Sequence, residues 1–299
     1  MWRCAARTRG GLGVIALDEF AAAVGSQGPV TIAGLGTRGG AVPGVHTVTA
    51  PLGIDFVQAD EMIVSCGAGT PVDELVAAMA AHGQTVCLPA GGTVGGALAV
   101  GHSDVRRLGY GPVRDTLLQA RYVSAAGEIV KAGGPTVKNV SGFDLCRLLV
   151  GSYGTLGFLG EVVLRTRPLA KHSQWFVTDA TDPYPVFAAL YRPVSVLWDG
   201  RRVWSLLEGH PADVEAQATS AGLAPCGGPP VLPTGSRRSL SPTQLVELAG
   251  DFVAEIGVGI VHHAQPATQA AVGEREAALS RALRVRFDPA GRLNPGLGV

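Results

Sequence analysis

Apolar and polar positions alternate in short runs through the first half of this 299-residue chain. Residues 29–40, PVTIAGLGTRGG, read as a strand running into a glycine-rich turn, and 61–69, EMIVSCGAG, as a second strand. Residues 14–24, VIALDEFAAAV, have helical spacing. The best-punctuated helix is predicted over 70–83, TPVDELVAAMAAHG. Thr70 is placed to cap it, Pro71 suits its first turn, Asp73 and Glu74 meet the positive end of its dipole, and Gly83 stops it. Residues 84–102 read as a strand, a second glycine-rich loop and the start of a helix. Residues 116–134 alternate as two strands of a hairpin around Ala126-Gly127, and GFLGEVVLRTRP (157–168) is a further strand.

After Pro168 the pattern changes. Glycine loops thin out and aromatic residues enter: Trp175, Phe176, Tyr184, Phe187, Tyr191, Trp198 and Trp204. Strand-like and helical pieces alternate to about residue 280, interrupted by the Gly/Pro-rich link 224–236, and 284–299 is again turn-rich. The expected fold class is α+β in two lobes: residues 1–168, a smaller α+β domain over 169–283, and a tail, 284–299, that packs back on the first lobe.

Composition narrows the function. The chain is 46% hydrophobic and 16% charged, enough apolar material for a large core. Lys+Arg and Asp+Glu both number 24, so no net field draws nucleic acid or an anionic membrane. Five scattered cysteines, never in C-x-x-C, argue against disulfides and against zinc or iron–sulfur ligation; no metal is expected, and a reducing cytoplasm suits the chain. The amino-terminal stretch lacks the sustained apolar region of a secretion signal. No apolar run approaches the roughly 20 residues of a membrane helix, so any membrane association is expected to come through partners.

The 42 glycines are distributed, yet three clusters stand out. Gly34, Gly36 and Gly39 spell G-x-G-x-x-G after a strand, but Pro43, Gly44 and a β-branched run follow where a dinucleotide-binding helix would have to begin. Backbone N–H groups in such a turn can still form an anion-binding nest. AGGTVGGALAVG (90–101) and GSYGTLG (151–157) repeat the pattern. Any one loop is explained by a tight turn; three in one lobe fit one extended phosphate-bearing ligand.

The stretches TIAGLGTRGG, PAGGTVGGALAVGHSDVRRLGYGPVRDTLLQARYVSAAGEIVKAGGPTVKNVSGFDLCRLLVGSYGTLGFLGEVVLRTRP and RFDPAGRLNPG resemble the FAD-binding subunit of bacterial glycolate oxidase, within the FAD-linked oxidase superfamily of the vanillyl-alcohol oxidase type. The resemblance is dense over 84–168, fair at 29–40 and 60–80, and clear again at 286–296. It implies the FAD-binding fold of that superfamily and a bound FAD. The first loop, Gly34, Leu35, Gly36, Thr37, Arg38 and Gly39, would wrap the pyrophosphate, with Arg38 as a charge partner. Thr93, Gly95, Gly96 and Gly101 would lie near the pyrophosphate and flavin, with Arg114 and Asp115 close by, Asp115 serving either the ligand, Arg114 or the loop backbone. Gly154, Gly157 and Leu159 would support the adenosine side. Lys138 and Asn139 either fix a turn or contact the flavin. His46, the only histidine near the first loop, sits beyond Pro43, so FAD is expected to be non-covalent.

The resemblance implies oxidation of a small 2-hydroxy acid such as glycolate, with hydride transfer to flavin and a protein base for the hydroxyl proton. It implies a second flavin subunit and an iron–sulfur subunit as partners. Catalytic residues are not fixed by the sequence. His262 and His263, ending the strand GIVHH, are base candidates or structural residues, as is His102. Arg106 and Arg107 would meet the substrate or only the phosphates. The His-rich metal motif of related catalytic subunits is missing from the second lobe. That leaves open a non-catalytic electron-relay or structural subunit, or a stand-alone oxidase of another alcohol or sugar.

Overall fold

The computed structural model describes residues 16–134, 144–245, 247–266 and 273–297. Lys138, Asn139 and the amino-terminal stretch through residue 15 lie outside them. The first lobe comprises α1 (Leu17–Val24), β1 (Val30–Ala33), β2 (His46–Thr49), β3 (Ile54–Gln58), β4 (Ile63–Gly67), α2 (Val72–Ala80), β5 (Gln84–Val86), α3 (Val94–Val100), α4 (Arg107–Tyr110), β6 (Leu117–Val123), β7 (Ile129–Gly133), α5 (Leu145–Leu149) and β8 (Phe158–Pro168). Strands β1 and β2 form a parallel pair, and the rest form one sheet in the order β3-β4-β8-β6-β7, with β5 also on β8. Helices α1, α2 and α3 share one core with this sheet.

Helix α2 starts one residue later than its sequence suggests. Pro71 takes the N-cap at ψ 135°, while the Thr70 hydroxyl accepts the Gly53 N–H at 2.9 Å. Val72, Leu75 and Met79 are fully buried, each contributing about 1.5–3 kcal/mol. Gly83, at φ +66°, completes the turn off the helix. The second glycine stretch is also more helical than expected. Thr93 caps α3 by accepting the Gly96 N–H at 3.1 Å, so Gly95 and Gly96 lie in its first turn. Burial pushes the Cys66 and Cys146 thiols up to about 12 and about 11, so both fill core space rather than act as nucleophiles.

The second lobe contains β9 (His172–Asp179), α6 (Tyr184–Ala189), β10 (Ser195–Trp198), β11 (Arg202–Gly209), α7 (Pro211–Ser220), β12 (Ala224–Cys226), β13 (Ser236–Ser239), α8 (Pro242–Leu245), β14 (Phe252–Glu255) and β15 (Ile260–His263). Its seven-stranded sheet has the order β12-β9-β11-β10-β14-β15-β13. One face packs Val196, Trp198, Phe252, Ala254 and Val261 beneath the helices; the other carries Leu197, Trp204 and Val253 against Val105 of the first lobe. Helix α4 plugs into this lobe. Gly109 N–H donates to Val194 O at 3.0 Å, and the Tyr110 hydroxyl donates to the Glu208 carboxylate at 2.8 Å, with the Arg167 guanidinium stacked 3.7 Å from the Tyr110 ring.

A last helix, α9 (Glu274–Phe287), runs across the boundary at 283/284 that the sequence reading placed between domain and tail. No breaker interrupts EREAALSRALRVRF until Asp288-Pro289. The segment after it returns to the first lobe. Arg292 is 5% exposed, and its guanidinium donates to the carbonyls of Val24, Gly25, Gln27, Gly28 and Ala125 at 2.7–3.0 Å. Leu293 bridges to Val30, and the Asn294 carboxamide accepts from Thr31 Oγ1 at 2.8 Å while donating to Tyr153 O at 2.7 Å. Arg292→Met therefore strands several buried carbonyls and is expected to cost about 3 kcal/mol or more in urea unfolding; the exposed Arg275→Met should stay within about 0.5 kcal/mol.

Candidate functional site

The first loop, helix α3 and the third loop enclose a cavity of about 330 Å³, within the size range of small-molecule sites. Gly34, Leu35, Gly36, Thr37, Arg38, Gly39, Thr93, Gly95, Gly96, Gly154, Gly157 and Leu159 all line it, together with Tyr153 and Asn294. Three segments separated in sequence are thus brought to one space by β1, by α3 and by the turn before β8.

The glycines serve two different purposes there. Gly36 (φ +72°) and Gly39 (φ +105°) have left-handed backbone, and a Cβ on either would meet nothing within 4 Å. This stretch of wall is bare backbone facing open space, a cradle that a pyrophosphate can approach closely. The third loop is the opposite case. A Cβ on Gly157 would collide with the Tyr122 ring, one on Gly160 with Leu17, and one on Gly154 would lie 2.8 Å from Asn294 Nδ2. Those glycines let parts of the protein approach each other, not open space. On the residues present, the cavity fits a dinucleotide-type cofactor.

Several expected contacts fall elsewhere. Arg38 lines the cavity, but its guanidinium is engaged by protein: Nη1 donates to Gly91 O at 2.7 Å, and Nη2 to Pro89 O at 2.9 Å and Ala90 O at 2.8 Å. It staples the first loop to the second, and Gly92 is glycine because a Cβ there would strike this guanidinium. Gly101 is the left-handed C-cap of α3 (φ +69°), pressed against Gly151, and does not line the cavity. Arg114 and Asp115 are exposed and off the cavity, Asp115 pairing with Arg147 at 3.3 Å. His46 contacts Ala23 O at 3.2 Å and is likewise not in the lining.

The two adjacent histidines part company because strand neighbours point to opposite faces. His263 turns into the core, where Nε2 contacts Ala249 O at 3.0 Å and Nδ1 accepts from Gln265 N at 3.1 Å. With both ring nitrogens engaged, His263 has no atom left for a substrate. His262 turns toward the first lobe, opposite Arg237 and Val253 in strand register, with Nε2 2.8 Å from Glu255 Oε1. Burial pulls Arg237 below its usual value, while Glu255 pushes it up, Arg107 down and Tyr153 up. His102 is lowered by partial burial, then by Arg237 and His262. Arg237, Glu255 and His262 thus share one face of the second lobe, within electrostatic range of His102, Arg107 and the cavity-lining Tyr153 of the first. Arg106 does not join them, since its guanidinium is held by Asp104. Arg237 and Glu255 were invisible in the sequence; the signal available was β14–β15 alternation, which puts residues 255 and 262 on one face.

A family described as an FAD binding domain matches residues 20–133. The chain is 39% identical over 141 residues to a D-lactate dehydrogenase of Archaeoglobus fulgidus, covering 45% of this chain and 32% of that protein. It is 31% identical over 215 residues to glycolate oxidase subunit GlcE of Escherichia coli, covering 67% and 61%, and 41% identical over 76 residues to subunit GlcD of Bacillus subtilis, covering 25% and 16%. These matches span less than two thirds of each relative's length. Among solved structures, an alkyldihydroxyacetonephosphate synthase superposes with a TM-score of 0.64 at 14% identity, covering 90% of this chain and 73% of that one.

The two classes of glycine are separable by experiment. Gly36→Ala, which forces a side chain onto left-handed backbone in the cavity wall, is expected to weaken FAD binding about tenfold or more in a fluorescence titration, some 1.4 kcal/mol. Gly157→Ala should instead lower the unfolding free energy of the FAD-free protein by about 1–3 kcal/mol through overpacking against Tyr122. The glycine cradle, the two-lobed fold and the sequence matches together make this chain a member of the FAD-linked oxidase superfamily, with an FAD-binding domain in its first lobe.

Proposed function

We propose that the chain is the FAD-bearing component of an oxidoreductase that oxidises a small 2-hydroxy acid such as glycolate. The observation that carries this reading is the buried Glu255–His262 pair, opposite Arg237 in strand register on the sheet face that packs against the first lobe, with His102 and Arg107 within electrostatic range. Arginines there offer charge to a carboxylate, and an imidazole offers a base to a hydroxyl. The relatives support the substrate class: a D-lactate dehydrogenase and two glycolate oxidase subunits are all named for 2-hydroxy acids.

In this reading non-covalent FAD lies along the cavity, with the pyrophosphate at Gly34, Gly36, Thr37 and Gly39, the α3 start at Thr93, Gly95 and Gly96 next to it, and the adenosine side against Gly154, Gly157 and Leu159. Bound flavin supplies the acceptor for the substrate's hydride and its electron pair. The protein's share is to hold the carboxylate, keep water from the space between the lobes and take the hydroxyl proton. The chain would work beside a second flavin subunit and an iron–sulfur subunit. No helix among the described residues is long and apolar enough to cross a membrane, and membrane attachment would run through those partners.

The test is a visible spectrum of the purified FAD-loaded protein before and after anaerobic addition of glycolate or D-lactate. Bleaching of the flavin band is expected. A flavin band that stays unbleached with either acid moves the oxidation to a partner subunit and leaves this chain an electron-relay or structural component.

A further inference from the structure

Glu255 is hard to explain as packing. It is 2% exposed and sits in a run of buried apolar residues, FVAEI, where an aliphatic side chain would fill the space without desolvating a charge. One oxygen, Oε1, is 2.8 Å from His262 Nε2; the other, Oε2, is buried with no hydrogen-bond partner among the described residues. Arg237 on β13 lies directly across from His262, and His102 ahead of α4 is within electrostatic range of both, as Arg107 and Tyr153 are of Arg237. The other register partners are apolar: Val253 opposite His262, and Ile260 and Leu197 opposite Glu255.

We propose that Glu255 is a positioning residue, which takes the Nε2–H of His262 and so presents Nδ1 as the proton-accepting atom of the oxidation. The proposal rests on the function proposed above. A neutral imidazole has one N–H and one lone pair, so committing Nε2 as donor to a carboxylate leaves the lone pair on Nδ1. When the substrate's O–H bond breaks, its proton forms the new N–H bond at Nδ1, the oxygen becomes a carbonyl, and the hydride leaves for the flavin acceptor. The imidazolium so formed is stabilised by the adjacent carboxylate. Arg237 limits the cost of burying Glu255 in the meantime.

The test uses the FAD-loaded protein with histidine labelled for long-range ¹H–¹⁵N NMR, and stopped-flow flavin reduction by glycolate and D-lactate across pH. In the wild type, His262 is expected as the Nε2–H tautomer, and the reduction rate should rise with pH as the imidazole loses its proton. Glu255→Gln removes the carboxylate that favours the imidazolium, so this limb should move to lower pH. The limiting rate should fall about 10–100-fold, within the range of general-base effects, with substrate affinity little changed. Glu255→Asp should recover part of the rate. An unchanged rate and limb in Glu255→Gln would show a purely structural pair and overturn the proposal, as would an Nδ1–H tautomer in the wild type, which is readable even if the variants fail to fold. If neither acid bleaches the wild-type flavin, the function reading fails by itself. The dyad is then judged by oxalate, a non-oxidisable carboxylate analogue: a shift of the His262 Nδ1 resonance supports it, and none overturns it.

Discussion

The first lobe depends on one buried cation. Arg292 donates to five backbone carbonyls and, among the described residues, to no carboxylate. Val24 and Gly25 lie at the end of α1, where unpaired carbonyls concentrate negative partial charge, and Ala125 belongs to the turn between β6 and β7. A guanidinium suits the task because its donors fan out in a plane and it stays charged when buried. Its neighbours in sequence then do the positional work. Leu293 extends alongside β1, and Asn294 joins β1 to the third loop through a single carboxamide. Two walls of the FAD cavity are therefore set by residues more than 250 positions away from the first.

A second constraint is the division of labour among loops. Arg38 holds the second loop by its carbonyls, and the glycines beside it leave bare backbone in the cradle wall. Backbone N–H groups in such a turn can stabilise an anion through fixed dipoles.

The lobes are joined where the chemistry is proposed. Helix α4 inserts into the second lobe through Gly109 and Leu108, and the Tyr110–Glu208 hydrogen bond closes the contact under the Arg167 guanidinium. The segment leading into that helix carries His102, and the helix itself begins at Arg107. The same contact that docks the lobes thus brings an imidazole and a cation of the first lobe toward the sheet face bearing Arg237, Glu255 and His262.

By itself the sequence determined what local rules govern. Alternation marked the β6–β7 hairpin and β8, turn chemistry marked the glycine loops, and the Pro43-Gly44 interruption excluded a dinucleotide helix after G-x-G-x-x-G. The motif density over 84–168 carried the family. Tertiary structure decided the rest. Nothing local says whether a glycine faces open space, as Gly36 does, or a tyrosine ring, as Gly157 does. Nor does it say that Arg38 would meet carbonyls, that Gly101 would only end a helix, or that Arg114 and Asp115 would stay at the surface. The pair His262–His263 shows why. Period-two alternation guarantees that the two face opposite ways, but which face meets the other lobe depends on how the sheet packs, a long-range property fixed by burial of apolar area and not by neighbours in the chain.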